Sequence, residues 1–222
     1  MKKLTTILLS VLCALSLSAC GGSQSSTNTG DVSQNHTQEQ PIKYEAEFTS
    51  GYYTSGIDFP SGTYDITAID GNGNVSSDNL FDGGINAVMG VDDDGFHEKE
   101  YMNIRLPENV VLQVSNGVTI KIHSDKASGK QLRKRDQPLT EEIELKNGYF
   151  ISGQDFPAGV YDIIAVSGHG NVSSDNLFDG GINAVMGTKK SDFYEPSYKN
   201  VELPNGVELK VDGVKIKLVP SK

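Results

Sequence analysis

The chain has 222 residues and a formal net charge of −10, with hydrophobic residues making up 36% of it. The acidic balance argues against nucleic acid as a partner. Two cysteines, at positions 13 and 20, and four scattered histidines leave no room for a disulfide framework or a cysteine metal site in the folded part.

The chain begins with a targeting pattern. Lys2 and Lys3 precede an apolar run from Leu4 to Leu17, too short to span a bilayer comfortably, and small residues lead to Cys20. The Leu17-Ser18-Ala19-Cys20 sequence resembles the lipobox of bacterial lipoproteins. The resemblance implies a signal peptide over 1–19, cleavage before Cys20 and acylation of that cysteine; the alternative is a plain secretory signal. A diacylglyceryl cysteine carries two or more chains, enough for stable anchoring where one chain holds only marginally. Residues 21–40 are small and polar and cannot offset their ordering entropy by burial, so a flexible tether is expected there. The Cys-Gly-Gly start and this tether are similar to those of Gram-positive lipoproteins, which implies the extracellular face of the cytoplasmic membrane.

The rest of the chain is one unit used twice. A shift of 97 residues aligns residues 41–123 with 138–222. Within residues 51–72, 13 of 22 positions match. The stretch GNVSSDNLFDGGINAVMG, residues 73–90, returns unchanged at 170–187. Between the repeats, residues 124–137 carry Lys126, Lys130, Arg133, Lys134 and Arg135, a solvated linker or a basic strap for an anionic envelope polymer.

Strand patterns dominate both repeats. Tyr64, Ile66 and Ala68 alternate with polar residues, as do Val110, Leu112, Val114 and Val118, Ile120, Ile122. Val207, Leu209, Val211 and Val214, Ile216, Leu218 repeat this. Phe59-Pro60-Ser61-Gly62 has the composition of a turn. Asp212-Gly213 between two valines predicts a two-residue hairpin, and Ser115-Asn116-Gly117 a three-residue loop with a left-handed glycine. With no long helical period, the expected class is all-β: two tandem homologous small β-sandwich or jelly-roll-like domains.

Chemistry is sparse. No histidine pair has metal-ligand spacing, and nucleophile-elbow, zinc-protease and phosphate-loop motifs are missing. No catalytic residue, metal site or cofactor is assigned. Asp92-Asp93-Asp94-Gly95 has calcium-loop composition, but the second repeat has Thr188-Lys189-Lys190-Ser191 there, which favours a solvated loop. The unchanged stretch is the candidate site. Ser76 or Ser77 is placed to cap a helical turn through Leu80-Phe81 that Gly83-Gly84 ends, with Ile85 to Met89 as a buried strand. Its apolar residues are expected to be buried. Asp78, Asn79, Asp82 and Asn86, with Asp175, Asn176, Asp179 and Asn183, are the candidate binding patch. They serve either as scaffold in tight turns or as a surface used in both repeats; conversion between the repeats would also preserve them.

Gly148 to Tyr161, and less closely Gly51 to Tyr64, follow G-Y-x-x-x-G-x-D-F-P-A-G-x-Y. With G-I-N-A-V-M-G and the closing L-x-V-x-G-V-x-I-K, they make residues 41–219 similar to a β-rich domain of Gram-positive lipoproteins. That domain carries no established activity, so the resemblance assigns no functional residue. The expected function is a non-enzymatic binding module, anchored to the membrane through lipid on Cys20, for a cell-wall polymer, glycan or protein ligand. The alternative is a receptor for a small molecule or calcium.

Overall fold

The computed structural model describes residues 40–191 and 193–222. The leader, Cys20 and the expected tether up to residue 39 lie outside the described residues. The described chain is nearly all β. Among the described residues no helix is long and apolar enough to cross a membrane.

In the first repeat the strands are β1 (Ile42–Phe48), β2 (Gly51–Thr54), β3 (Gly62–Asp70), β4 (Asn72–Ser77), β5 (Asn86–Gly90), β6 (Glu100–Leu106), β7 (Val111–Ser115) and β8 (Thr119–Ala127). One sheet has the order β1-β8-β3-β6, and β2-β7-β4-β5 forms the other layer. Period-two alternation turns Tyr64, Ile66, Ala68, Ile120 and Ile122 inward from the first and Val75, Leu112, Val114 and Met89 from the second.

The second repeat has β9 (Ile143–Leu145), β10 (Gly148–Ile151), β11 (Gly159–Ser174), β12 (Asn183–Gly187), β13 (Ser197–Leu203) and β14 (Glu208–Pro220). It builds its own apolar cluster around Tyr161, Ile163, Val172, Leu209 and Ile216. The repeats do not stand apart. The described residues form one compact unit with two cores, and a ten-stranded sheet runs through both in the order β10-β14-β11-β13-β2-β7-β4-β5, with β12 on β11 and β9 on β14.

The expected hairpin at Asp212-Gly213 does not form. These residues lie inside β14, and both Val211 and Val214 pair with β11, opposite Val172 and Gly168. The chain bends at a bulge and continues. Gly213 does take the left-handed conformation, with φ 79°. In the first repeat, Asn116 (φ 62°) and Gly117 (φ 87°) make the same corner between β7 and β8, so the three-residue loop is also a bend rather than a reversal. The cause is a close backbone approach. A Cβ on Gly170 would stand 1.9 Å from the Asp212 carbonyl oxygen, and one on Gly73 2.1 Å from that of Ser115. The G-x-G runs at Gly71-Asn72-Gly73 and Gly168-His169-Gly170 let two strands bend together from one layer to the other.

The D-F-P motif is scaffold. Its turn spans residues 56–58, earlier than expected, and Pro60-Ser61 run extended into β3. Asp58 accepts the Thr54 N–H at 2.7 Å, Phe59 is fully buried, and the Tyr64 hydroxyl donates to the Pro60 carbonyl at 2.5 Å. Asp155, Phe156, Tyr161 and Pro157 repeat this arrangement, with 2.7 Å for both polar contacts.

The segment between the repeats is exposed at most positions and is tied to both repeats at a few points. β8 extends to Ala127, beyond the 123/124 boundary, and Ala127 is buried. Ser128 N–H donates to Ser61 O and Arg133 N–H to Gly56 O, at 2.8 and 2.9 Å. Gln137 donates to the carbonyls of Val160 and Ser221, and Leu139 packs on the second core. Lys130 and Arg133 lie beside Glu108, and Arg135 pairs with Asp58, so these cations serve the protein's own acids.

Candidate functional site

The unchanged stretch forms the end of one strand, a 3-10 turn and the next strand. In the first repeat these are β4, Leu80–Asp82 and β5. Gly83 ends the turn in the left-handed region, as expected, but no serine caps it. Ser77 instead accepts the Ile85 N–H at 2.9 Å and closes the loop's base; Ser174 does the same for Ile182.

The candidate residues divide into two kinds. Asp78 accepts the Val111 N–H and Asp175 the Glu208 N–H, at 3.2 and 3.1 Å. Asn79 donates to Arg105 O and Asn176 to Glu202 O, both at 2.8 Å. These four residues tie the turn to neighbouring strands, while Asp78 and Asp175 stay exposed. Asp82, Asn86, Asp179 and Asn183 are exposed. Ile85, Ala87 and Met89 are buried as expected, but Phe81 and Phe178 are 97% and 96% exposed. This corrects the expectation that the apolar residues of the stretch are all inside. Each phenylalanine sits at the tip of a turn whose backbone bonds consume the polar groups around it, leaving the ring no core to enter.

One of these turns faces the other repeat. Phe178, Asp179 and Gly180 line a cleft of about 440 Å³ together with Ser76, Ser77 and Asp78 of the first repeat and with Tyr52 and Gln113. Thus Asp78 and Asp179 come together, contributed by different ends of the same repeated stretch. The Tyr52 hydroxyl donates to Gly181 O at 2.7 Å and accepts from Gln113 Nε2 at 3.1 Å. Burial holds the Tyr52 phenol above its ordinary range.

Arg135 reaches the cleft from the segment between the repeats. Its guanidinium bonds both oxygens of Asp58, at 2.7 and 2.6 Å, with both side chains about nine-tenths buried. Burial raises the Asp58 carboxyl despite the Thr54 amide and this pairing. Arg135 Nε has no partner. With Asp58 neutralising Arg135, the remaining charge of the cleft is negative, from Asp78, Asp179 and Glu202. It offers acceptors and amides beside an exposed aromatic face, suited to a hydroxyl-rich ligand with an apolar side.

Among the described residues, no group of three or more His, Cys, Asp or Glu could hold a metal ion. Asp94 accepts from Phe96 N, His97 N and His97 Nδ1 at 2.8–3.0 Å, and the amide bonds above all hold its carboxyl down to about 2. Asp92 accepts from Asn72 Nδ2. Both act as loop staples.

Sequence reasoning missed Phe81 and Phe178. A signal existed: an aromatic between turn formers, followed by Asp-Gly-Gly. Tyr52, Gln113 and Arg135 had no local signal, because only the contact between repeats brings them to the cleft. No protein-family model matches the chain, and no curated protein matches it either.

Proposed function

We propose that this chain is a lipid-anchored, non-enzymatic binding module of the bacterial envelope, and that its ligand is a glycan held in the cleft between the repeats. The observation that supports the ligand class is Phe178, 96% exposed on a hydrogen-bonded turn that lines the same cleft as Asp179 and Asp78. A sugar ring has an apolar C–H face that stacks on an aromatic and hydroxyls that donate to carboxylates. The volume, about 440 Å³, lies within the range of small-ligand sites.

Equilibrium binding of the full chain to purified wall glycan tests this. Phe178→Ala is expected to weaken binding about tenfold, the value of one lost aromatic contact. Phe81→Ala, outside the cleft, is expected to change it less. Equal binding by the wild type and Phe178→Ala would remove the cleft as the site.

The anchor rests on the leader and Cys20. Cys20→Ser is expected to move the chain from the membrane fraction to the soluble one. A chain that stays with the membrane after that change is not held by acylation of Cys20.

A further inference from the structure

The contact between the repeats is heterologous: it joins two different surfaces. From the second repeat comes β13, and from the first β2. Lys199 N–H donates to Ser50 O at 2.9 Å, and Lys199 stands opposite Gly51 in a parallel bridge. Asn200 Nδ2 donates to Tyr52 O at 2.7 Å, and the Tyr52 and Tyr198 rings pack 5.8 Å apart.

Each repeat should own both surfaces, and among the described residues no strand pairs with the unused pair. The counterpart of β13 is β6, the edge of the four-stranded sheet; the counterpart of β2 is β10, the edge of the ten-stranded sheet. Residues buried at the internal junction have exposed counterparts. Asn200 is 9% exposed whereas Asn103 is exposed; Ser50 is 3% exposed whereas Asn147 is exposed; Tyr52 is half-buried whereas Tyr149 is 64% exposed. Met102, at the place of Lys199, is 54% exposed.

The free edge is also preset. Asn103 holds the same left-handed backbone as Asn200, φ 59° against 56°. Asp65 accepts the Asn103 N–H at 2.9 Å, as Asp162 does for Asn200 at 3.0 Å. An uncommon conformation is therefore maintained in a repeat where no described strand docks on it. The tyrosines also persist, Tyr101 for Tyr198 and Tyr149 for Tyr52.

The charges reverse together. At the internal junction Lys190 bonds Asp70 and Thr119. Its counterpart is Asp93, and the counterparts of Asp70 and Thr119 are Ser167 and Lys215. A cation facing an acid becomes an acid facing a cation, one that Glu144 holds in the single chain.

We infer that the β6 edge of one chain docks on the β10 edge of a second chain, repeating the internal junction, so that chains associate head to tail. Asn103 then donates to the Tyr149 carbonyl, and Asp93 meets Lys215. Phe81 and Asp82 come to face Ser173 and Asp175, forming another cleft of the kind described above. Because the two surfaces differ, each added chain leaves one of each free, and the product is a ring or an open filament rather than a closed pair.

Cross-linking tests this, since the folded part has no cysteine of its own. The full chain with Cys13→Ser and Cys20→Ser, carrying Met102→Cys and Asn147→Cys and treated with a short bis-maleimide, is expected to give a ladder of dimers, trimers and higher species. Each single-cysteine variant should remain a monomer, and an equal mixture of the two should stop at the dimer. Adding Asn103→Gly to the double variant, which keeps the left-handed backbone without strain, should lower the ladder about tenfold. Absence of a ladder up to about 1 mM chain would overturn the proposal. So would dimers from either single variant, since these require a like-to-like contact, or a ladder that Asn103→Gly leaves unchanged.

Discussion

Gly170→Ala is expected to lower the melting temperature by roughly 10 °C. The added methyl carbon would stand 1.9 Å from the Asp212 oxygen and 2.8 Å from the Gly213 Cα. Both obstacles are backbone, at a bulge held by strand pairing on either side, so neither can swing aside. Relieving such a contact costs about 3 kcal/mol, and in a unit of this size each kcal/mol moves the midpoint by about 2–4 °C. Gly73→Ala meets the Ser115 oxygen at 2.1 Å and should behave alike. Gly95→Ala separates contact from conformation. It has φ +72° and nothing within 4 Å, so it carries only the left-handed penalty, about 1 kcal/mol. Thermal unfolding of the three variants checks the order. If Gly170→Ala melts no lower than Gly95→Ala, the corner does not bring the two backbones together.

Arg135→Met should cost about 3 kcal/mol at neutral pH, because it leaves Asp58 buried and charged with only the Thr54 amide. The sign with pH follows from the carboxyl. Burial already raises its folded value, so the folded state holds this proton more tightly than the unfolded chain does. That contribution is fully present below the ordinary aspartate range near pH ~4 and is lost as pH rises through the folded value. Without Arg135 the folded value moves higher, and the loss extends towards neutrality. The deficit of Arg135→Met against the wild type should therefore be large at pH 7 and small at pH 3.5, by denaturant unfolding at both. Asp58→Asn added to Arg135→Met should recover part of it at pH 7. An equal deficit at the two pH values would assign the effect to packing of the arginine stem. The second repeat offers a natural contrast, since Asp155 closes the same turn from an exposed position.

Alternation with period two, the repeat at 97 residues and the uneven distribution of identity are written in the chain itself. They predict an all-β fold and place most of its core, because a half-buried strand leaves that pattern wherever it pairs. Tyr64, Ile66, Leu112, Ile120 and their counterparts are inside for that reason. Local sequence could not say where strands reverse. Asp212-Gly213 between valines suits a hairpin or a bulge equally well, and the decision lies with Gly168 and Gly170, more than forty residues away. Nor could it say which residues of the unchanged stretch are scaffold. Asp78 and Asp82 look alike in sequence and both are exposed, yet only Asp78 bonds a strand amide, since only it lies beside β7. Phe81 and Phe178 are outside because their turns project beyond both cores, a matter of position and not of hydrophobicity. The cleft belongs wholly to the tertiary structure. Tyr52, Asp78, Arg135 and Phe178 are spread over more than a hundred residues, and the docking of one repeat's edge strand on the other's brings them together.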